Sequence, residues 1–363
     1  MSREQLKWLD NISQNVFNFV SEMQDDDFSY VRYSFSGDLY TKDDNWGLAN
    51  LVYATKALDI TGNLDKLSQL QKDNLAKSML GFTKEDGFIY DPILSNPDFK
   101  TFLKSFISPA RRHRFKTSRE NTRRGETKQV FAALNHLGKK PLSPLSDVPH
   151  NNEELIAYLD NYNWSTPWHS CAHFAILMFF LKFNDYFFDK NDNDELIKSA
   201  VTYMDKMQSA EDGCWYKGNV PLYEKVNGAM KYFTGLHAAG IYDFKYPEKI
   251  VDTALSAIND EHACNNFNVV YCLYATYKLI PDYRKDDVEK FLLDRLGIYK
   301  EFYFKDLGGF SFKKGKANDV LYYGKVSKGL KEPDIHGTSL YVFGIALIDE
   351  ILGLGLGFKV PIT

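Results

Sequence analysis

Cysteine is scarce in this chain of 363 residues, and the spacing of the cysteines matches no disulfide or zinc framework. The four cysteines, Cys171, Cys214, Cys264 and Cys272, include no CxxC pair. Small disulfide-stapled folds are denser in cysteine, and zinc knuckles place their cysteines in close pairs. We therefore expect four reduced thiols in a cytoplasmic protein.

Long hydrophobic runs are missing as well. The apolar stretches are interrupted by Lys, His or Asn before they reach the roughly 20 residues that a membrane-spanning helix needs. Residues 1–10 are rich in charge and lack the apolar core of a signal peptide. These absences predict no membrane span and no secretory leader.

An excess of basic charge is also absent. The formal net charge is −4, and proteins that bind nucleic acid normally carry a basic surface, so we expect no nucleic-acid partner. One local exception is a run of eight Lys and Arg residues between positions 111 and 128. Such a run is able to hold phosphate, diphosphate or carboxylate groups. A solvated basic loop is the alternative interpretation.

The sequence also lacks the common signatures of covalent and nucleotide chemistry. It contains no nucleophile elbow, Walker loop, dinucleotide fingerprint or EF-hand. The glycine-rich signals occur in turns, where glycine supplies a positive φ. We therefore expect no cofactor and no bound metal.

Six nearly uncharged runs of helical length are the main positive feature. An apolar run of this kind flanked by amphipathic segments indicates a buried helix. The amphipathic segments cover residues 4–23, 65–80, 152–160, 194–207, 246–257 and 286–296. The repetition predicts an all-α fold, an α/α toroid of six helical hairpins around a central cavity, built as one domain over residues 1–363. The six runs begin near Trp46, Gly125, Trp168, Asn227, Asn265 and His336.

Two further features refine this prediction. Glycine-aromatic turns at residues 85–90, 211–216 and 306–312 predict short strands, especially 309–312 paired with 320–323. The apolar runs are unevenly spaced, so loops must be inserted between some hairpins. Residues 91–124 and 141–149 are the expected insertions, and long loops in compact domains often carry function.

Part of the chain resembles the α/α toroids of terpenoid cyclases and protein prenyltransferase β subunits. The segment from Gly308 to Lys316, followed by His336 at the start of an apolar run, is similar to the prenyltransferase pattern of a Gly-Gly-aromatic turn, a basic turn and a histidine. Residues 208–215 resemble the Gln…Gly-x-Trp repeat of the cyclases. The resemblance implies a lipophilic substrate in the cavity and a role for His336. Asn227 and Ala229 replace two zinc ligands of the prenyltransferases, and the cyclase Asp-rich motifs are absent.

The start of each apolar run supplies candidate site residues. If these helices share one orientation, their N-termini meet at one mouth of the cavity, where free N–H groups favour anions. The candidate catalytic residues are His336, Asp44, Glu126 and His169. The candidate substrate-binding residues are Arg123, Arg124, Trp46, Trp164, Trp168, His173, Tyr223, Lys225, Asn227, Lys231, Asn265 and Asn266.

Each candidate also has a structural alternative. Asp44, Asn227, Asn265 and Asn266 are good helix caps. His169 and His173 are four residues apart and would suit either one site or a satisfied core pair. The aromatic side chains would pack in the core or line the cavity.

Three functions fit these observations. The first is a metal-independent enzyme of the toroid fold that binds an isoprenoid or other lipophilic anionic substrate, with Asp44 or Glu126 in proton transfer. The second is a lyase, epimerase or hydrolase acting on an acidic glycan, with His336 or His169 and a tyrosine as base and acid. The third is a binding scaffold without catalysis, in which interior charges neutralise one another. The partner is in each case a small molecule or glycan in the central cavity.

Overall fold

The computed structural model describes residues 6–95, 109–188, 193–322 and 324–361, with only the backbone at residues 95 and 109–118. More than half of the chain is helical, which confirms the all-α class. The six apolar runs form helices that we call the core helices. They are α2 (Leu48–Ile60), α5 (Pro109–His136), α7 (Pro167–Phe188), α9 (Leu222–Ala238), α11 (Ala263–Tyr277) and α13 (Ile335–Leu352).

Amphipathic helices alternate with the core helices along the chain, close to the predicted positions. Local sequence explains where such a helix begins: Ser68 and Gln71 form a capping box at the start of the helix Gln69–Leu80. These helices are α1 (Ile12–Met23), α3 (Gln69–Leu80), α6 (Asn152–Asp160), α8 (Asp194–Asp205), α10 (Pro247–Ser256) and α12 (Lys285–Lys300), with a short α4 (Pro92–Ser95) in addition.

The contacts among the core helices follow a closed order. Helix α2 packs on α5, α5 on α7, α7 on α9, α9 on α11, α11 on α13, and α13 returns to α2. Each core helix therefore has two core neighbours, and the last one joins the first. The amphipathic helices pack against these core helices, for example α10 against α11 and α3 against α2.

Neighbouring core helices run in the same direction. Between α7 and α9, Gly228 lies against Pro167 and Gly235 against Ala175, so contacts advance together along both helices. A Cβ atom at Gly235 would lie 2.8 Å from the Cα of Ala175, which shows how closely these backbones approach. At the far ends of α5 and α2, His136 Nδ1 lies 3.0 Å from Asp59 Oδ2. The N-terminal ends of neighbouring core helices consequently lie on the same side.

The basic segment differs from the sequence prediction. Residues 109–124 were expected in an inserted loop, but α5 starts at Pro109 and continues to His136. Residues 110–124 contain no Pro or Gly, and their Arg, Lys, Ala and Glu residues favour helix, so nothing stops helix propagation. Of the rest of the predicted insertion, Pro92–Ser95 form the short helix α4, and residues 96–108 lie outside the described residues.

The short strands are present but pair differently from the prediction. Strand β1 (Tyr303–Phe304) pairs with β2 (Gly309–Phe310), and β3 (Val320–Leu321) pairs with β4 (Gly324–Lys325), both antiparallel. Each strand thus pairs with its neighbour in sequence, and between β1 and β2 the positive φ of Gly308, 77°, allows the chain to reverse locally. Residue 323, which the prediction included, lies outside the described residues.

Helix α13 is long and apolar enough to cross a membrane by length and composition alone. However, 78% of that helix is buried inside the protein. Its packing partners are α2, α11 and β2. This burial is typical of a core helix in a folded domain, and α13 packs as one of the six core helices.

Candidate functional site

Six side chains from five core helices converge in the interior, and we call them the interior cluster. Protein surrounds each of them, yet five retain partial accessibility, so they face space inside the molecule. Only Lys128 is nearly inaccessible, at 7%. The members are Tyr53, Lys56, Lys128, Lys231, Cys264 and His336.

The three lysines of the interior cluster are its most unusual feature. Burial lowers the pKa of Lys56 to about 7, and the charge of Lys231 lowers it as well. Burial and the charges of Lys56 and Lys231 hold the pKa of Lys128 well below its usual range. Burial also lowers the pKa of Lys231. Among the described residues, no carboxylate forms an ion pair with any of the three lysines.

These lysines meet across the interior rather than along one face. Lys56 is on α2 and Lys231 is on α9, and these two helices are not neighbours in the closed order of contacts. Their charges nevertheless influence each other through the intervening space. Aromatic rings flank the ammonium groups: Lys56 Nζ lies 5.4 Å from the ring centre of Phe343, and Lys128 Nζ lies 5.3 Å from that of Phe179. The interior cluster therefore combines amines that an anion could return to the charged state with an apolar, aromatic wall.

His336 belongs to the interior cluster, as the sequence analysis proposed for the site. Its ring stacks on Tyr53 with centres 4.4 Å apart, and its Nδ1 lies 3.3 Å from the hydroxyl oxygen of Tyr33. Burial, followed by the charge of Lys56, lowers the pKa of His336 to about 3. The imidazole is therefore neutral at physiological pH and is suited to hydrogen bonding rather than to pairing with an anion.

Asp334 fixes the position of His336. Its carboxylate caps α13 by accepting the Gly337 N–H at 2.8 Å. It also accepts the N–H groups of Phe312 at 2.7 Å and Asn318 at 3.0 Å. One buried carboxylate thus ties the glycine-aromatic turn to the start of α13.

Glu126 and Asp91 form a carboxyl pair beside the interior cluster. The Asp91 N–H donates to Glu126 Oε2 at 2.9 Å, and Glu126 is only 3% exposed. Burial, and then the nearby Asp91, hold the pKa of Glu126 well above its usual range. Burial raises the pKa of Asp91 to about 6. A small cavity beside Glu126 is also lined by Tyr53 of the interior cluster.

The two predicted arginines are engaged in ion pairs. Arg123 contacts Asp86 at 2.8 Å, and Arg124 contacts Asp147 at 2.7 Å. The side chain of Arg124 is only 4% exposed and lies near the rings of Tyr158 and Phe180. Both guanidinium groups therefore have protein partners that hold α5 to neighbouring segments.

Replacing Arg124 with Gln is expected to destabilise the fold by about 1–3 kcal/mol. The change removes a buried side chain and its ion pair with Asp147. Urea unfolding of the two proteins measures the effect. The control Arg284→Gln removes an arginine that is 40% exposed and pairs with Asp252 and Asp287, and it should change stability much less. An equal, small effect at both positions would contradict a structural role for Arg124.

Asp44 and two predicted tryptophans occupy structural positions. Asp44 is exposed, and its Oδ2 accepts the Thr41 N–H at 2.7 Å, as a cap of the 3-10 turn Lys42–Asp44. Trp46 is 2% exposed and Trp164 is 3% exposed. The indole N–H of Trp164 donates to the Leu159 carbonyl at 3.1 Å. The two tryptophans match the core alternative, whereas Asp44 caps the 3-10 turn before α2 and not α2 itself, whose N-cap residue is Gly47.

The two predicted histidines on α7 differ in their exposure to solvent. His169 is exposed, whereas His173 is 5% exposed and stacks on Tyr162 with ring centres 4.2 Å apart. Burial, followed by the charge of Arg124, lowers the pKa of His173 to about 3. Trp168 is half-buried, and its backbone N–H donates to Glu224 at 3.4 Å.

Three further predicted residues line a surface groove of about 440 Å³ at the N-terminal ends of α9 and α11. They are Tyr223, Asn227 and Asn265. Asn227 also accepts the Asn268 amide at 2.6 Å, which joins the two helices below the groove. Asn227, which lines the groove, lies four residues before Lys231 on α9. Residues four apart share a helix face, so the groove and Lys231 are one helical turn apart.

The other two predicted binding residues are held by protein groups. Lys225 pairs with Asp212 at 2.7 Å. Asn266 is fully buried, and its amide donates to the Tyr341 hydroxyl at 3.4 Å. Of all the predicted binding residues, Lys231 alone belongs to the interior cluster.

Comparison with protein-family models and with curated proteins finds no match. The resemblance to terpenoid cyclases and prenyltransferases therefore stays a prediction. In the part of the chain that the structure describes, no group of three His, Cys, Asp or Glu side chains has the arrangement to hold a metal ion.

The sequence analysis did not identify Tyr53, Lys56, Asp91 or Asp334, and it included Lys128 only as the last member of the basic run. A signal for Lys56 was present, because this lysine stands within an otherwise apolar helical stretch. Lysine is almost never fully buried without a partner. A lone lysine in such a run therefore indicates a binding site more specifically than the polar residues that cap the helices.

Proposed function

We propose that the chain forms an α/α toroid and is an enzyme that binds a lipophilic anionic substrate inside it. The toroid proposal is supported by the closed order of contacts and by the common direction of the core helices. The proposal for the substrate depends mainly on one observation. Three interior lysines face one another without an ion pair to any described carboxylate.

An anionic ligand would relieve an unfavourable arrangement. Burying ammonium groups near one another costs free energy, both through lost hydration and through mutual repulsion. A bound diphosphate or carboxylate would offset that cost and return the lysines to their charged state. A scaffold without ligand would instead be expected to carry neutralising partners at these positions. The lysines therefore favour a ligand-binding interior.

The surroundings of the lysines favour an apolar portion in the same ligand. Phe343 and Phe179 flank two of the ammonium groups, and Tyr53 and Phe312 flank His336. An acidic glycan would instead be expected to stack on accessible tryptophans. All five tryptophans are described, and none of them is exposed. We therefore favour an isoprenoid or another lipophilic anion over the glycan.

The proposed roles follow from these positions. Lys56, Lys128 and Lys231 would bind the anionic group, and neutral His336 would hydrogen-bond to the substrate near Tyr53. The chemistry would need no metal, since lysines rather than a divalent cation would neutralise the anion. The free thiols of the four cysteines are consistent with the cytoplasm as its location.

A thermal-shift experiment with the full chain tests this function. Farnesyl diphosphate, in the presence of a metal chelator, should raise the melting temperature; a ligand at about 100 times its Kd stabilises by about 2.7 kcal/mol. Inorganic diphosphate alone should give a smaller shift, and farnesol alone should give little. A shift only with an acidic oligosaccharide would contradict the lipophilic assignment. No shift with any anion would contradict the proposed function.

A further inference from the structure

Glu126 has one buried oxygen without a partner. Its Oε2 accepts the Asp91 N–H, whereas its Oε1 is buried and has no hydrogen-bond partner among the described residues. A buried carboxylate oxygen left in this way is costly, but a protonated oxygen is able to act as a donor. A protonated Oε1 would therefore fit this position better than a charged one.

Asp91 is bonded very differently. Its Oδ2 accepts the Gly47 N–H at 3.1 Å, and its Oδ1 accepts the Ile93 N–H at 2.9 Å. Gly47 is the residue before α2, so the carboxylate also lies at the positive end of a helix. Asp91 is thus equipped to hold a negative charge, and a second charge on Glu126 would be repelled by it.

The space beside Glu126 is bounded on one side by Tyr53 of the interior cluster. The cavity there is about 10 Å³, which is close to the space that one water molecule needs. Tyr53, Gln129 and Tyr322 line it together with Glu126. The Oε1 atom of Gln129 is likewise buried without a partner among the described residues. A hydrogen-bond donor placed between Glu126 and Gln129 would satisfy this amide oxygen.

We propose that Glu126 is the proton donor of the interior site, and that it protonates a substrate oxygen that gains negative charge. Asp91 is its positioning residue. This inference rests on the proposed function, because the lysines must hold the substrate beside Tyr53. Besides Asp91, the charged group that influences the pKa of Glu126 is Lys84, which lowers it and is outweighed by burial.

The proton transfer defines the class of reaction. When the bond between carbon and oxygen breaks, its electron pair stays on the leaving oxygen, and Glu126 supplies the proton to that oxygen. Water then attacks the carbon and releases a proton that restores Glu126, so one water is consumed and no electrons are exchanged with a cofactor. A carboxyl group that keeps its proton at neutral pH is a weak acid. It suits an oxygen that becomes basic in the transition state better than it suits an alkene.

The experiment combines a spectroscopic and a kinetic measurement on the full chain. Infrared spectra of the free protein at neutral pH should contain the C=O stretch of a protonated carboxyl group, and E126Q should lack it. Asp91 and Asp334, each with a pKa raised to about 6, should be mostly ionised there. The exposed control Glu211→Gln should leave the band unchanged.

Farnesyl diphosphate serves as the kinetic probe, with diphosphate release as the readout. E126Q should slow release by about 10²–10⁴-fold while leaving the thermal shift with this probe intact. Absence of the infrared band, or equal release rates in E126Q and wild type, would overturn the inference. Binding without any release by the wild type would overturn it as well. Absence of binding would instead contradict the proposed function, and the infrared band would still report whether Glu126 is protonated.

Discussion

Replacing Lys231 with Met should raise the free energy of unfolding by about 1–4 kcal/mol at neutral pH and abolish the thermal shift with farnesyl diphosphate. Lys231 lies in the interior among like charges, and burial lowers its pKa. A thioether of similar shape removes the cost of burying an amine that has no counter-ion. The same replacement removes one of the groups proposed to bind the anion. Urea unfolding and thermal shift measure the two effects.

The matched control is Lys225→Met, six residues earlier on the same helix. Lys225 pairs with Asp212 at 2.7 Å, and its side chain is 20% exposed. Its replacement breaks an ion pair instead of relieving repulsion, so it should not stabilise the protein, and it should leave the ligand-induced shift in place. If Lys231→Met were destabilising and still bound the probe, the interior lysines would not form the proposed anion site.

The pH dependence of Lys56→Met gives an independent check on the interior cluster. The native pKa of Lys56 is about 7, below its ordinary value of 10.5. Between these values the unfolded chain binds more protons than the native chain, so the contribution of Lys56 makes wild-type stability rise with pH. Below the native pKa that contribution is constant. The variant should lose this rise, and an unchanged pH profile would contradict a buried, uncompensated amine at position 56.

Replacing Gly337 with Ala should destabilise the protein by about 3 kcal/mol. A Cβ atom at this position would lie 2.4 Å from the Phe312 backbone nitrogen and 2.5 Å from the Ser311 carbonyl carbon. Because both neighbours are backbone atoms, the turn that contains them must move away from α13. Guanidinium or urea unfolding measures the loss. The movement should also displace His336, which precedes the glycine.

Gly125→Ala is the matched control, because it makes the same change inside another core helix. The atom nearest to its Cβ would be the Tyr322 hydroxyl oxygen at 3.2 Å, at the end of a side chain. A helical Gly→Ala change stabilises by up to about 1 kcal/mol where space allows. The control should therefore be neutral or stabilising. A similar loss at both positions would show that close packing against the turn is not what requires Gly337.

The helices could be predicted because their causes are local. Apolar runs such as the one after Trp46 must be buried, and amphipathic segments such as residues 152–160 must cover them, so both kinds of helix were identified near their observed bounds. The helix over residues 109–124 was missed because charge was interpreted as a loop signal. The segment contains no helix breaker, and α5 continues through it.

The site was harder to predict because it depends on how the helices are rotated. His336 was identified through a resemblance, and Lys231 through its position near a helix start. Lys56 and Lys128 reach the same space from farther along their helices, and the sequence alone does not show which face points inward. Arg123 and Arg124 were placed in the site because of their charge. Their partners Asp86 and Asp147 are distant in sequence, so those ion pairs become visible only in the folded chain.

The contact between α13 and α2 also has a consequence for synthesis of the protein. Helix α2 appears early in translation, but its second core neighbour ends only at Leu352. Until residue 352 has left the ribosome, one apolar side of α2 stays uncovered, and closure must wait for a contact between distant parts of the sequence. Such non-local closure is slow, and hydrophobic surface stays exposed until it is complete. The contact between α2 and α13 is therefore the last of the core-helix contacts that synthesis makes possible.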